Sequence, residues 1–233
     1  MAKHLDSVAG IEVGVCATND PAYPPAMPAR PAIEFWYEFA STYSYPAAAR
    51  AEKTAAASGV EVRWRPFLLG PVFGAQGWND SPFNIYPAKG RYMWRDLERI
   101  CAAQGLSFRR PTRFPRSGLL CARIATVAVD EGWCPAFTRA VYRANFAEDA
   151  EISDPAVVVS ILNELGRDGR AECERASSSQ VKDALRAATQ EAMDRGIFGA
   201  PTFLVGSEMF WGNDRLEQAV AWAAAGGSIP EGE

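Results

Sequence analysis

Apolar and polar positions divide the chain into a strand–helix–strand opening, a long helical stretch and a strand–strand–helix close. The run Ala32-Ile33-Glu34-Phe35-Trp36-Tyr37-Glu38-Phe39 is aromatic and β-branched, which predicts a buried strand. Ala47 to Ser58 is Ala-rich and predicts a helix ended by Gly59, and Val60-Glu61-Val62-Arg63-Trp64-Arg65 alternates as a second strand. Strand, helix and strand within about 35 residues form a βαβ unit with a right-handed crossover.

Residues 70–90 are rich in Gly, Pro and aromatics, and predict a long structured loop of the kind that carries function. Helical periodicity then predicts helices near 91–104, 117–131, 134–147, 154–166 and 178–195, with Asp154 an N-cap. Strand character returns at Gly199-Ala200-Pro201-Thr202-Phe203-Leu204-Val205. Gly206-Ser207 reads as a hairpin turn, Glu208-Met209-Phe210-Trp211 as a further strand, and Asp214 to Ala225 as a closing helix. Ahead of the first strand, five prolines between Pro21 and Pro31 favour an extended arm, either disordered or packed along a neighbouring subunit.

Composition narrows the function classes. The 233 residues carry a formal charge of −4, with no clustered basic face, so nucleic acid is not an expected partner. No run of 18 apolar residues appears, and the first residues lack the form of a secretory signal, which points to a cytoplasmic protein without a membrane partner. Cys16, Cys101, Cys121, Cys134 and Cys173 form no C-x-x-C pair, consistent with a reducing compartment. The one histidine, His4, lies in the arm. A Ser-His-Asp triad, a Cys-His dyad or a His-based zinc site has no histidine to use in the body, and no metal site is expected.

Candidate chemistry lies at Phe39-Ala40-Ser41-Thr42-Tyr43-Ser44-Tyr45, where a strand hands over to a helix. Helix N-termini expose unpaired N–H groups and partial positive charge, which stabilise an anion or a thiolate. Ser41 can add a hydroxyl hydrogen bond; the alternative is that Ser41 or Ser44 is simply the N-cap. Ala200-Pro201-Thr202 directly precedes a strand, a position that tolerates proline.

Together these two elements resemble the thioredoxin superfamily, with Ser41-Thr42-Tyr43-Ser44 as S-x-x-S in place of C-x-x-C and Pro201 as the facing cis-proline. The helical stretch between the two halves resembles the DsbA layout. Within that group the chain is similar to 2-hydroxychromene-2-carboxylate isomerases and kappa-class glutathione transferases over about residues 32–225. The likeness rests on Phe35-Trp36-Tyr37-Glu38-Phe39 with Ser41, Trp64-Arg65-Pro66-Phe67-Leu68-Leu69-Gly70, Lys89-Gly90-x-Tyr92, Phe198-Gly199-Ala200-Pro201-Thr202 and Trp211-Gly212-Asn213-Asp214-Arg215-Leu216. It departs from the family at Thr42, where proline is usual, and in its longer arm.

The resemblance implies an α/β, thioredoxin-like βαβ…ββα sheet with a large all-helical insertion. Its parts would be an arm over 1–31, the thioredoxin-like portion over 32–70 and 196–226, and a loop with inserted helices over 71–195. It implies reduced glutathione as cofactor, held by Ser41 at the sulfur, by the backbone of Ala200 beside Pro201, by Asn213 and Asp214 at the γ-glutamyl end, and by Asn84. Ser41 would be the catalytic residue and the substrate a small aromatic molecule, with a homodimer as the assembly. Tyr43, Phe73, Trp78 and Tyr92 are candidates for an aromatic pocket. Arg65 either binds a substrate carboxylate or pairs with a nearby acid, and Lys89 either contacts substrate or joins Arg91, Arg95 and Arg99 on a solvated helix face.

Overall fold

In the computed structural model, residues 30–227 are described. His4, Cys16 and all but the last two residues of the proposed arm lie outside them. Strand β1 (Ala32–Tyr37) is the central element. Its near-continuous apolar run follows from burial on both faces, as parallel strands under helices require: Ile33, Phe35, Trp36 and Tyr37 are all fully buried. Helix α1 (Ser44–Ala56) returns the chain to β2 (Glu61–Pro66), which pairs parallel to β1 from Ala32↔Glu61 to Tyr37↔Pro66. Strands β3 (Thr202–Val205) and β4 (Glu208–Trp211) complete a sheet of order β2-β1-β3-β4, both pairing antiparallel. Gly206, at φ +60°, turns the chain between them, a conformation glycine adopts without steric cost.

Between β2 and β3 run α2 (Leu69–Ala75), α3 (Pro82–Ile85), α4 (Pro87–Gln104), α5 (Leu119–Asp130), α6 (Cys134–Phe146), α7 (Pro155–Glu164), α8 (Gly169–Arg175) and α9 (Ser179–Asp194). The 3₁₀ turn Asn213–Arg215 and helix α10 (Leu216–Ala224) close the fold. Ile33, Phe35 and Tyr37 face the principal core with Ala47, Ala48, Ala51 and Ala55 of α1, whose small side chains bring that helix close to the sheet. Trp36 points the other way, against Phe67, Val72, Ala192, Ile197 and Leu204. No helix among the described residues is long and apolar enough to cross a membrane.

Three elements differ from the sequence reading. The segment over 70–90 is largely helical: α2 and α3 occupy it, and α4 begins at Pro87, four residues before the expected start. Ser81 caps α3 by accepting from the Phe83 N–H, and Pro82 occupies its first turn, where a missing N–H costs nothing. Helix α8 was not foreseen because Gly-Arg-Ala-Glu-Cys-Glu-Arg has no apolar stripe; Asp168 starts it, accepting from the N–H groups of Arg170 and Ala171 at 3.1 Å.

Candidate functional site

Beyond Tyr37 the chain leaves the sheet in a turn closed by Ser41 N–H donating to Glu38 O at 3.0 Å, and α1 begins three residues later. Ser41 is 8% exposed. Its Oγ donates to Ala200 O at 2.8 Å and accepts from the Ser44 N–H at 3.3 Å and the Ser44 hydroxyl at 3.0 Å. The Ala200–Pro201 peptide is cis. Ser41 therefore both satisfies a first-turn N–H and faces the residue before Pro201. Thr42, in the place of the usual proline, is buried and donates its hydroxyl to Met93 Sδ at 3.1 Å, tying the turn ahead of α1 to α4.

Ser41, Ala200, Pro201, Asn213 and Asp214 line a cavity of about 1590 Å³. Asn213 is 7% exposed, and Arg50 of α1 reaches its backbone carbonyl and, at 3.2 Å, its Oδ1 while pairing with Glu217. With Oδ1 engaged, the Asn213 amide offers its NH₂ to the cavity as donor, and the exposed Asp214 carboxylate supplies an acceptor alongside. Gly212 permits this: at φ +119°, an added Cβ would sit 2.5 Å from Asp214 Oδ1.

Aromatic side chains form part of the remaining wall. Tyr43, Phe73, Trp78 and Tyr92 line the cavity, as does Lys89, whose Nζ lies 5.0 Å from the Tyr86 ring centroid. Tyr43 donates to Asp96 Oδ2 at 3.1 Å, and burial together with that carboxylate raises its phenol above the ordinary range. Phe198 and Trp211, which also line the cavity, meet at a tilt of 60° with ring centroids 4.9 Å apart; Trp211 lies so near Gly199 that an added Cβ would be 2.6 Å from its Nε1.

Two of the sequence candidates stand elsewhere. Arg65 is outside the cavity: it pairs with Glu191 and stacks over Trp36 at 4.5 Å, the acid-pairing alternative. Asn84 also lies outside, its amide spent on both carboxylate oxygens of Asp80 at 3.1 Å and on Phe114 O at 3.4 Å.

Other cavity residues were not foreseen. Glu38 lines the cavity and is 7% exposed; its Oε2 accepts from the Ala40 N–H at 2.9 Å, and burial pushes its carboxyl up to about 7. A charged residue interrupting an aromatic run was the available signal. Arg116, 5% exposed, pairs with Asp149 and donates to Asn145 Oδ1 at 3.1 Å, pinning the segment that carries Phe114 and Pro115 against α6. None of the four cysteines among the described residues lines the cavity, and burial pushes Cys101 and Cys134 up to about 11. The described residues contain no cluster of three or more His, Cys, Asp or Glu able to hold a metal.

Comparison with known proteins now fixes the ancestry: the model of the DsbA-like thioredoxin domain matches residues 32–221. The chain belongs to the DsbA-like thioredoxin family. Within it, a 2-hydroxychromene-2-carboxylate isomerase of Sphingobium xenophagum is 31% identical over 187 residues, covering 79% of this chain and 94% of that one. Glutathione S-transferase kappa 2 of Caenorhabditis elegans is 26% identical over 212 residues, covering 85% and 94%. A solved structure of 2-hydroxychromene-2-carboxylate isomerase superimposes with a TM-score of 0.74 at 26% identity, covering 85% of this chain and 100% of that one. The chain thus stands with the isomerase and kappa-transferase branch of the DsbA-like family. The thioredoxin-like sheet with helices interposed between its halves is the DsbA-like fold. Where C-x-x-C would make a DsbA-like protein a dithiol oxidoreductase, Ser41 and Ser44 occupy those positions.

Proposed function

We propose that the protein is a glutathione-dependent isomerase of a conjugated aromatic 2-oxo acid or chromene carboxylate, and that Ser41 is its catalytic residue. The observation that carries this reading is the Ser41 hydroxyl, just ahead of α1 and directed at Ala200 O within a cavity that aromatic side chains help to line. The residues fit reduced glutathione. Ser41 offers a donor to the sulfur, Ala200 a backbone partner to the cysteinyl part, and Asn213 with Asp214 a donor–acceptor pair to the zwitterionic γ-glutamyl end. Bound there, glutathione supplies a thiolate that adds reversibly to a conjugated carbon, allows rotation about the resulting single bond, and is regenerated on elimination.

The chain's part is to make that thiolate available near neutral pH. A free thiol has a pKa near ~8.5, so lowering it by about two units requires roughly 2.7 kcal/mol. A helix N-terminus contributes about 0.3–1 kcal/mol, rising to about 2 where partly buried, and α1 has no acidic residue in its first turn to oppose it. A hydrogen bond from Ser41 to a charged acceptor adds about 1.5–3 kcal/mol. The two suffice without a general base. Tyr43, Phe73, Trp78 and Tyr92 would hold the aromatic substrate against the sulfur, trading binding for proximity.

A kappa-like transferase, which releases the conjugate, is the second reading, supported by the similarity to the nematode enzyme. Isomerisation conserves glutathione over many turnovers; transfer consumes one equivalent per product. Disulfide exchange is disfavoured because a serine forms no mixed disulfide.

Titration of reduced glutathione into the wild type and Ser41→Ala, followed by calorimetry and by thiolate absorbance near neutral pH, tests the proposal. The wild type is expected to bind and generate thiolate, and Ser41→Ala to bind while losing most of that signal. Failure of both proteins to bind at millimolar glutathione would overturn the cofactor assignment.

A further inference from the structure

A serine hydroxyl has one proton and two lone pairs. Ser41 uses its proton on Ala200 O, which can only accept. With no proton left on Ser41, the 3.0 Å bond between the two hydroxyls runs from Ser44 to Ser41, and the Ser44 N–H fills the other lone pair at 3.3 Å. Ser44 itself is fully buried in the first turn of α1. It lies against Tyr142, whose hydroxyl is committed to Glu38 O at 2.8 Å. The acceptor side of Ser41 is thus occupied from within the fold, and only its donor side faces the cavity.

We propose that Ser44 is a positioning residue that makes Ser41 an obligate donor toward a thiol ligand, so that the site discriminates the ionised sulfur from the neutral one. The proposal rests on the reading above that a thiol binds at Ser41. A serine with a free lone pair serves both forms: it donates to a thiolate, or rotates and accepts from a neutral S–H. Hydrogen bonding to the neutral form holds a pKa up, and bonding to the charged form brings it down. By filling both lone pairs, Ser44 removes the option of accepting from the neutral S–H and leaves donation to the thiolate. A hydroxyl that already accepts two bonds is also polarised into a stronger donor. When the Ser41 hydroxyl turns to donate its hydrogen bond to the ionised sulfur, Ala200 O is released and can accept an N–H from the ligand's own peptide. The proton thus rotates from a protein carbonyl to the sulfur, while the carbonyl receives a replacement from the ligand. On this account the second serine of S-x-x-S, the position of the second cysteine in an oxidoreductase, orients the first.

The test is a cycle of wild type, Ser41→Ala, Ser44→Ala and the double variant, with the bound thiol's pKa read from thiolate absorbance against pH. S-methylglutathione, which carries no ionisable sulfur, serves as a second ligand. Ser44→Ala is expected to raise the pKa of bound glutathione by about half to one unit. It should do so only while Ser41 is present, and should leave affinity for S-methylglutathione at the wild-type value. An equal shift in the Ser41→Ala background, no shift at all, or a matching loss of S-methylglutathione binding would each overturn the positioning role. If the wild type bound S-methylglutathione but did not lower the thiol pKa, the thiolate mechanism would fail. If it bound neither ligand, the glutathione reading and this inference would fall together.

Discussion

Glu38 interrupts an aromatic run one residue past the end of β1, where burial pushes its carboxyl up to about 7. Unfolded, the same group titrates near ~4.3. Between those values the folded chain holds a proton that the unfolded chain has lost, so stability falls as pH rises and the cost is complete above about 7. A displacement of this size corresponds to roughly 3 kcal/mol. Glu38→Gln keeps an acceptor for the Ala40 N–H and removes the charge. It should stabilise the protein at pH 8 by up to that amount and have little effect at pH 4, a contrast that urea unfolding at the two pH values would measure. Arg50 offers a second prediction at this scale. Arg50→Met frees the Asn213 amide to rotate, and should weaken glutathione binding by roughly ten- to a hundredfold, one charge-assisted hydrogen bond's worth. The same variant should barely affect an analogue lacking the γ-glutamyl α-carboxylate; equal losses for both ligands, by calorimetry, would refute this role. Ser41 was legible in the sequence because strand-to-helix handover and residue type coincide there. Arg50 was not, because nothing along the chain relates it to a residue 163 positions later.

Helices α3 and α4 meet through Gly90, which is buried; an added Cβ would stand 2.3 Å from the backbone carbonyl of Phe83. A backbone oxygen cannot rotate aside as a side chain can, so Gly90→Ala must separate the two helices or strain them, at about 1–3 kcal/mol. Phe83 lines the cavity, so the variant should also raise the KM for the aromatic substrate more than it lowers kcat; steady-state kinetics beside a thermal melt would separate the two effects. The elements found from sequence were those with strong periodicity or tertiary burial to enforce it: β1 with its apolar run, and α4, α6 and α9 with their amphipathic faces. Those missed, α2, α3 and α8, have four to seven residues and depend on local capping by Ser81 and Asp168 or on packing against neighbours, which leaves too little pattern to read.

At the scale of the molecule, the cavity is assembled from segments distant in sequence: the turn around Ser41, the stretch from α2 to α4, the Arg116 segment, and the two loops around Pro201 and Asn213. The resemblance in sequence located the first and last of these, where motifs are short and sharp. It carried Asn84 to the site, whereas the Asn84 amide is engaged by Asp80 outside the cavity, and of the two alternatives for Arg65 the structure shows the pairing with an acid, Glu191. Depth within the cavity also has a kinetic meaning. Ser41 and Asn213, the groups proposed to hold glutathione, are 8% and 7% exposed, whereas Tyr92 and Trp211 at the mouth are 61% and 53% exposed. On the proposed reading a tripeptide held by the buried groups would enter past the mouth before an aromatic acid filled it, and the acid would then block its departure. Turnover should therefore follow a compulsory order, glutathione first, with an inert aromatic analogue inhibiting uncompetitively against glutathione. In a cell, such an enzyme would stand loaded with glutathione between encounters, its rate governed by the supply of the second molecule.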